Sequence, residues 1–194
     1  MSIILLEGPD GSGKSTLANY FINNHKTAYI HVSNPKDYTY PTQQHDTMIL
    51  FGENWKNSST VFDRHWLSLL IYSYIFDEQK IQENVIYRLT QNLSHYLDII
   101  NHTIICLPPK ELYLKKFEEL KLKRKEVYTN MNDIYDAYDA IYYGKNYGIT
   151  DNGVLKNIIN LGGLKNMKGV HLYDYTKDGL DIKSYLDSES ITLL

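Results

Sequence analysis

Ile3-Ile4-Leu5-Leu6-Glu7-Gly8-Pro9-Asp10-Gly11-Ser12-Gly13-Lys14-Ser15-Thr16 runs from an apolar, β-forming segment through a glycine-rich octet into an amphipathic one. The octet has the spacing Gly, four residues, Gly-Lys-Ser, which marks a phosphate-binding loop when a strand precedes it and a helix follows. Both flanks are present. Gly8, Gly11 and Gly13 let successive backbone N–H groups turn inward towards one anion. The helix that opens at Lys14 adds the positive end of its dipole. Gly8, Asp10, Gly11, Ser12, Gly13, Lys14, Ser15 and Thr16 are therefore the candidate nucleotide-binding residues. Lys14 is expected to reach the β- and γ-phosphates, and the Ser15 hydroxyl to ligate Mg²⁺.

Outward from this loop the chain alternates between two periods. Continuous apolar runs at Ile3–Glu7, 28–32, Thr60–Asp63, 103–107 and 170–175 read as strands buried on both faces. Helical patterns fill the intervals at 15–24, 43–56, 66–76, 82–100, 110–123, 132–143, 154–160 and 180–186. The alternation predicts an α/β chain in a three-layer P-loop NTPase fold, a five-stranded parallel sheet with helices on both faces. Ligands are then expected at the carboxyl ends of the strands. No linker or repeat interrupts the pattern, so residues 1–194 are expected to form one domain.

Composition narrows the function classes. The 194 residues are 43% hydrophobic and 22% charged with a net charge of −3, and no basic tail supports nucleic-acid binding. No apolar run reaches the roughly 18 residues of a membrane span. With one cysteine, Cys106, and no leader-like segment before the first strand, a soluble cytoplasmic protein is expected. Arg64, Arg88 and Arg124 are the only arginines, so few guanidinium groups serve any phosphate chemistry. Tyrosine is plentiful, at 18 residues, and mostly suits half-buried positions.

Thr60-Val61-Phe62-Asp63 supplies a second part of the site. An apolar strand ending in a carboxylate, parallel to the loop strand, brings Asp63 beside Ser15 and makes it the second candidate metal ligand.

These residues resemble a known family. Glu7 to Thr16 resembles the phosphate loop of thymidylate kinases, in which an acidic residue also precedes the second glycine. Asp63-Arg64-His65-Trp66-Leu67-Ser68-Leu69-Leu70-Ile71-Tyr72 resembles that family's Asp-Arg-Tyr motif, with serine and tyrosine at the same later spacings. Leu50-Phe51-Gly52-Glu53-Asn54-Trp55 is similar to the segment carrying its base-stacking phenylalanine. The likeness covers about the first 75 residues and is loose beyond residue 110.

The resemblance implies transfer of the ATP γ-phosphate to a deoxynucleoside 5′-monophosphate, with Mg²⁺ as the metal. Carried over, Asp10 meets the acceptor's 3′-hydroxyl, directly or through the magnesium shell, Arg64 clamps its phosphate and Phe51 stacks on its base. Tyr72 presses where a 2′-hydroxyl would lie, and Ser68 belongs to the same substrate-binding set. Tyr72 and Phe51 each have a plainer reading as core residues. The family's thymine-reading arginine is replaced by Trp55, which stacks but cannot bond a carbonyl and a ring nitrogen together. Lys36 stands near the family's missing arginine after strand two. The family also implies a homodimer.

A monophosphate acceptor is already ionised, so catalysis reduces to aligning two anions and offsetting their repulsion. Lys14, Arg64, Asp10 and a lid cation carry that work. A lid is expected around 121–131, where Lys121–Lys125 is basic. Arg124 is its candidate catalytic residue, with a solvated helix end as the plainer reading. The rival function is a deoxynucleoside kinase acting on a 5′-hydroxyl. It needs a carboxylate base, and Asp37 lies near the end of strand two. A nucleotide-binding regulatory module is a third possibility.

Overall fold

The computed structural model of the chain describes residues 2–31, 59–76, 83, 87, 99–124, 130–146, 153–177 and 181–192, without the side chains of 120–124 and 154. Five strands form the sheet: β1 (Ile3–Glu7), β2 (Ala28–His31), β3 (Thr60–Asp63), β4 (His102–Cys106) and β5 (Val170–Tyr173). Every pairing is parallel and the strand order is β2-β3-β1-β4-β5. Six described helices accompany them: α1 (Lys14–His25), α2 (Trp66–Ile75), α3 (Lys110–Arg124), α4 (Met131–Tyr143), α5 (Gly153–Asn160) and α6 (Ile182–Ser188). This is the three-layer α/β P-loop fold expected from the alternation. The expected helix at 43–56 and most of that at 82–100 lie outside the described residues.

Strand alternation sends successive side chains to opposite faces. Ile4, Leu6, Val61, Ile104 and Cys106 pack with Leu17, Ala18 and Phe21 of α1 and with Tyr185 and Leu186 of α6. Ile3, Leu5 and Phe62 face the other way, towards Trp66 at the start of α2. Ile105 joins the large core built from α2, α3, α4 and α5. Each side chain removed from water here contributes about 1.5–3 kcal/mol, which is why both faces of the sheet must be covered. β2 departs furthest from this. As an edge strand it leaves Tyr29 and His31 exposed while Ala28 and Ile30 are half-buried.

The strand order places the loop. β1 lies at the centre, β3 on one side and β4 on the other, so residues 8–13 emerge between the carboxyl ends of both neighbours. Gly8 passes so close to β4 that a Cβ, besides its φ of +139°, would sit 2.4 Å from the Cys106 carbonyl oxygen. Only glycine fits that crossing. No described helix is long and apolar enough to cross a membrane.

Candidate functional site

α1 begins at Lys14 with Gly13 as its N-cap, no side-chain cap and no acidic residue in its first turn. Its first N–H groups are therefore offered to the loop rather than to a carboxylate. The Lys14 side chain is buried and arcs back over the loop, its Nζ donating to the carbonyl oxygens of Gly8 and Pro9 at 2.7 Å each. Burial, and next the charge of Arg64, pull this ammonium down to about 8. Ser15 and Thr16 are exposed on the first turn, while Ser12 is buried.

The weakened hold of Lys14 on its proton makes nucleotide binding depend on pH. An arriving polyphosphate adds negative charge beside the ammonium and restores its affinity for a proton. Binding between pH 8 and 9 is then expected to take up protons, and affinity to fall as pH rises through that window. Calorimetry of nucleotide binding in two buffers of different ionisation enthalpy reads the uptake directly. Proton release, or buffer-independent heats, would remove Lys14 from the contact.

Asp63 closes β3, with Val61 two residues earlier on the face covered by α1. Asp63 returns to that face and points to the side where Lys14 and Ser15 open the helix. It is almost fully buried. One oxygen, Oδ2, accepts from the Tyr29 hydroxyl at 2.9 Å and meets His31 Nδ1 at 3.2 Å. The other, Oδ1, is buried with no partner among the described residues. Burial raises the carboxyl's pKa, but the His31 bond, the Lys14 charge and the Tyr29 hydroxyl outweigh it and hold Asp63 below its ordinary value. An ionised carboxylate with one oxygen unpartnered among the described residues, near the Lys14 end of α1 whose next residue carries an exposed hydroxyl, is a donor set that suits Mg²⁺.

Arg64 follows with φ +72°, a conformation uncommon for a residue carrying a Cβ. Backbone bonds on both sides impose it. Arg64 N–H donates to the Leu6 carbonyl at 2.8 Å, and His65 N–H donates to Glu7 Oε1 at 2.9 Å. The side chain, mostly buried, pairs through Nη2 with Asp10 Oδ1, and its Cζ stands 4.8 Å from the centre of the Tyr72 ring. Tyr72 also donates its hydroxyl to Asp10 Oδ2, at 3.4 Å. Burial works against the guanidinium charge, but Tyr72 and Asp10 beside it outweigh that and hold it protonated. Asp10, Arg64 and Tyr72, three residues singled out in the sequence, thus form one cluster next to the loop.

Ser68 and Glu7 occupy a different position. Glu7 is fully buried at the end of β1, where its Oε2 accepts from Ser68 N–H at 3.2 Å, from the Ser68 hydroxyl and from the Tyr138 hydroxyl at 3.3 Å. Ser68 and Tyr138 are 2.6 Å apart through their oxygens. This carboxyl caps the start of α2 from the sheet and ties α4 to it, and Ser68 is engaged there, under the site rather than in it. Burial raises the Glu7 pKa against all of these donors.

Arg124 is the last residue of α3, and its side chain lies outside the described residues. Of the expected lid at 121–131, residues 121–124 continue α3 and 130–131 lead into α4, while 125–129 lie outside the described residues, as do Lys36, Phe51, Trp55 and Asp37.

Two features had no counterpart in the motifs. Tyr29 and His31 flank Asp63, detectable in sequence only as a two-residue spacing on a neighbouring strand. A groove of about 650 Å³ also opens beside the loop, lined by Gly13, Thr16, Tyr20, Lys116, Tyr175 and Lys183 among others. Tyr175 lies so close to the loop that a Cβ on Gly13, whose φ is +100°, would be 2.9 Å from its ring, and Lys116 Nζ sits 4.3 Å from the ring centre.

No family model matches the chain, and no curated protein sequence matches it. Among solved structures, it is similar to the YorR protein of Bacillus subtilis in complex with phosphorylated GDP, at 14% identity over 89% of this chain and 85% of that one, with a TM-score of 0.49. It is also similar to deoxyadenosine kinase from M. mycoides with bound dCTP, at 12% identity over 96% and 95% of the two chains and a TM-score of 0.48. Thymidylate kinase from Ehrlichia chaffeensis aligns at 17% identity over 67% of this chain and 93% of that one, with a TM-score of 0.37. Likenesses this distant leave the chemistry to be read from the chain's own loop, Asp63 and Arg64.

Proposed function

We propose that this chain transfers the γ-phosphoryl group of ATP to the 5′-monophosphate of a deoxynucleoside. One observation carries the proposal: two buried cations are held on the phosphate loop, Lys14 by the carbonyls of Gly8 and Pro9 and Arg64 by Asp10. Holding them together is unfavourable in the protein alone. It becomes favourable when two anionic phosphates must be brought into line.

Each cation is held by a group that a phosphate can replace. Lys14 bonds backbone carbonyls, and Arg64 pairs with Asp10. An acceptor phosphate taking Asp10's place on Arg64 frees that carboxylate for the acceptor's sugar hydroxyl. The residues that would hold Mg²⁺ are Ser15 and Asp63; when bound, the ion would offset charge on the donor's β- and γ-phosphates. The groove beside Tyr175 suits the donor base, which an aromatic face and the Lys116 cation both favour.

A monophosphate acceptor is already ionised and needs no carboxylate base, whereas a 5′-hydroxyl acceptor would need one. Of the carboxylates nearest the loop, Glu7 has both oxygens engaged, Asp10 pairs with Arg64, and Asp63 is held through Oδ2 by Tyr29 and His31.

A coupled ATP-consumption screen across deoxynucleosides, their monophosphates and the corresponding ribonucleotides tests the proposal and identifies the base. Deoxynucleoside monophosphates are expected to react; turnover of the nucleosides alone would overturn the assignment. In the same screen Tyr72→Ala is expected to lower the deoxy-to-ribo preference by about tenfold or more, since the ring that crowds a 2′-hydroxyl is gone. An unchanged ratio would leave Tyr72 as the support for Arg64 alone.

A further inference from the structure

β2 pairs with β3 in a register that sets Tyr29 opposite Val61 and His31 opposite Asp63. Two residues apart on one strand, Tyr29 and His31 share a face, the one on which Asp63 meets α1. Their rings run nearly parallel, 13° apart with centroids 6.3 Å from each other. Both lie exposed on the edge strand, yet both polar tips turn inward to the same atom, Asp63 Oδ2. Oδ1 of that carboxylate is buried and has no hydrogen-bond partner among the described residues.

This asymmetry has a chemical consequence. A carboxylate with one oxygen saturated by two donors cannot rotate freely and presents the other oxygen in a fixed direction. Without those donors, Oδ2 would also be free to draw in the nearby Lys14 ammonium, whose charge already acts on Asp63. Lys14 bonds the loop carbonyls of Gly8 and Pro9 instead.

We propose that Tyr29 and His31 are positioning residues for a divalent cation: they hold Asp63 through Oδ2 so that Oδ1 faces the metal of a metal–nucleotide complex. The inference rests on the role given to Asp63 above. Donors that orient a metal-binding group commonly change metal affinity by about 10–100-fold when removed.

The test is binding of a non-hydrolysable ATP analogue, measured by calorimetry in Mg²⁺ and in EDTA, for the wild type, Asp63→Asn, Tyr29→Phe/His31→Leu and Tyr29→Phe/His31→Gln. The factor by which Mg²⁺ tightens binding is the readout, and a purely structural defect does not move it. The Phe/Leu double variant is expected to lose about tenfold of that factor with its EDTA affinity unchanged. The Gln variant, which keeps an N–H donor near Asp63, is expected to recover part of it. If the Phe/Leu variant keeps the Mg²⁺ effect while Asp63→Asn loses it, the positioning role is overturned and the Asp63 assignment stands. If Asp63→Asn also keeps it, both fall. An equal loss in Mg²⁺ and EDTA makes the pair a structural clamp and likewise overturns the proposal.

Discussion

Lys14→Ala and Arg64→Ala are each expected to lower phosphoryl transfer by about 10³-fold, with the fold retained. The two side chains act on opposite ends of the transfer. Lys14 leans over the loop that cradles the donor, and Arg64 emerges from the end of β3 beside Asp10. Removing either leaves an anion without its counter-charge in a site shielded from water, where such a charge counts for more than in solvent.

Stability should respond differently. Burial of the Lys14 ammonium is unfavourable, as its lowered pKa of about 8 records, so alanine there should leave the melting temperature within a few degrees of wild type. Arg64→Lys should rescue little, because one ammonium does not reproduce a planar fork resting on the Tyr72 ring. Coupled assays beside thermal melts measure both quantities. Activity retained in either alanine variant would remove that residue from the transfer machinery.

Glu7→Leu is expected to cause the largest loss of stability, about 4 kcal/mol. The leucine fits the apolar surroundings but accepts no hydrogen bond. It strands the N–H groups of His65 and Ser68 at the start of α2 and leaves the Tyr138 and Ser68 hydroxyls only each other. Each buried backbone donor left unsatisfied costs about 1–3 kcal/mol. For a chain of this size the melting temperature should fall by about 10 °C or more.

Glu7→Gln should cost less, since one carbonyl oxygen still serves one of the two backbone donors. The loss should also reach the chemistry, because the His65–Glu7 bond helps hold Arg64 at its positive φ. Chemical denaturation of the three proteins gives the ordering. A Glu7→Leu protein as stable as wild type would show that α2 finds another cap.

Much of the fold was legible in local pattern. The strands ending at Glu7 and Asp63 and the helices after the loop follow from runs of apolar residues and from Gly8, Gly11 and Gly13, all readable within about ten residues. The observed boundaries of β1 and β3 coincide with the expected runs, β4 and β5 differ by one or two residues, as frayed ends do, and β2 agrees as far as His31, beyond which the expected run leaves the described residues. The expectation that all strands are buried on both faces missed the edges, β2 with Tyr29 and His31 exposed and β5 with only Tyr173 buried, because an edge position depends on strand order and not on a strand's own composition.

The sequence alone determined that a phosphate loop follows the first apolar strand and that an Asp-Arg pair ends another. These are spacings along the chain, and the chemistry of glycine, lysine and aspartate there is local. Only the tertiary structure decided which groups meet Glu7, Asp10 and Asp63. Those partners, Ser68 and Tyr138, Arg64 and Tyr72, Tyr29 and His31, lie between 32 and 131 residues away. Strand register and helix packing bring them together, and a side chain's partner in a buried site is set by which surface covers it. The loop therefore announced itself, while the framework that aims Arg64 and Asp63 appeared only once the sheet was assembled.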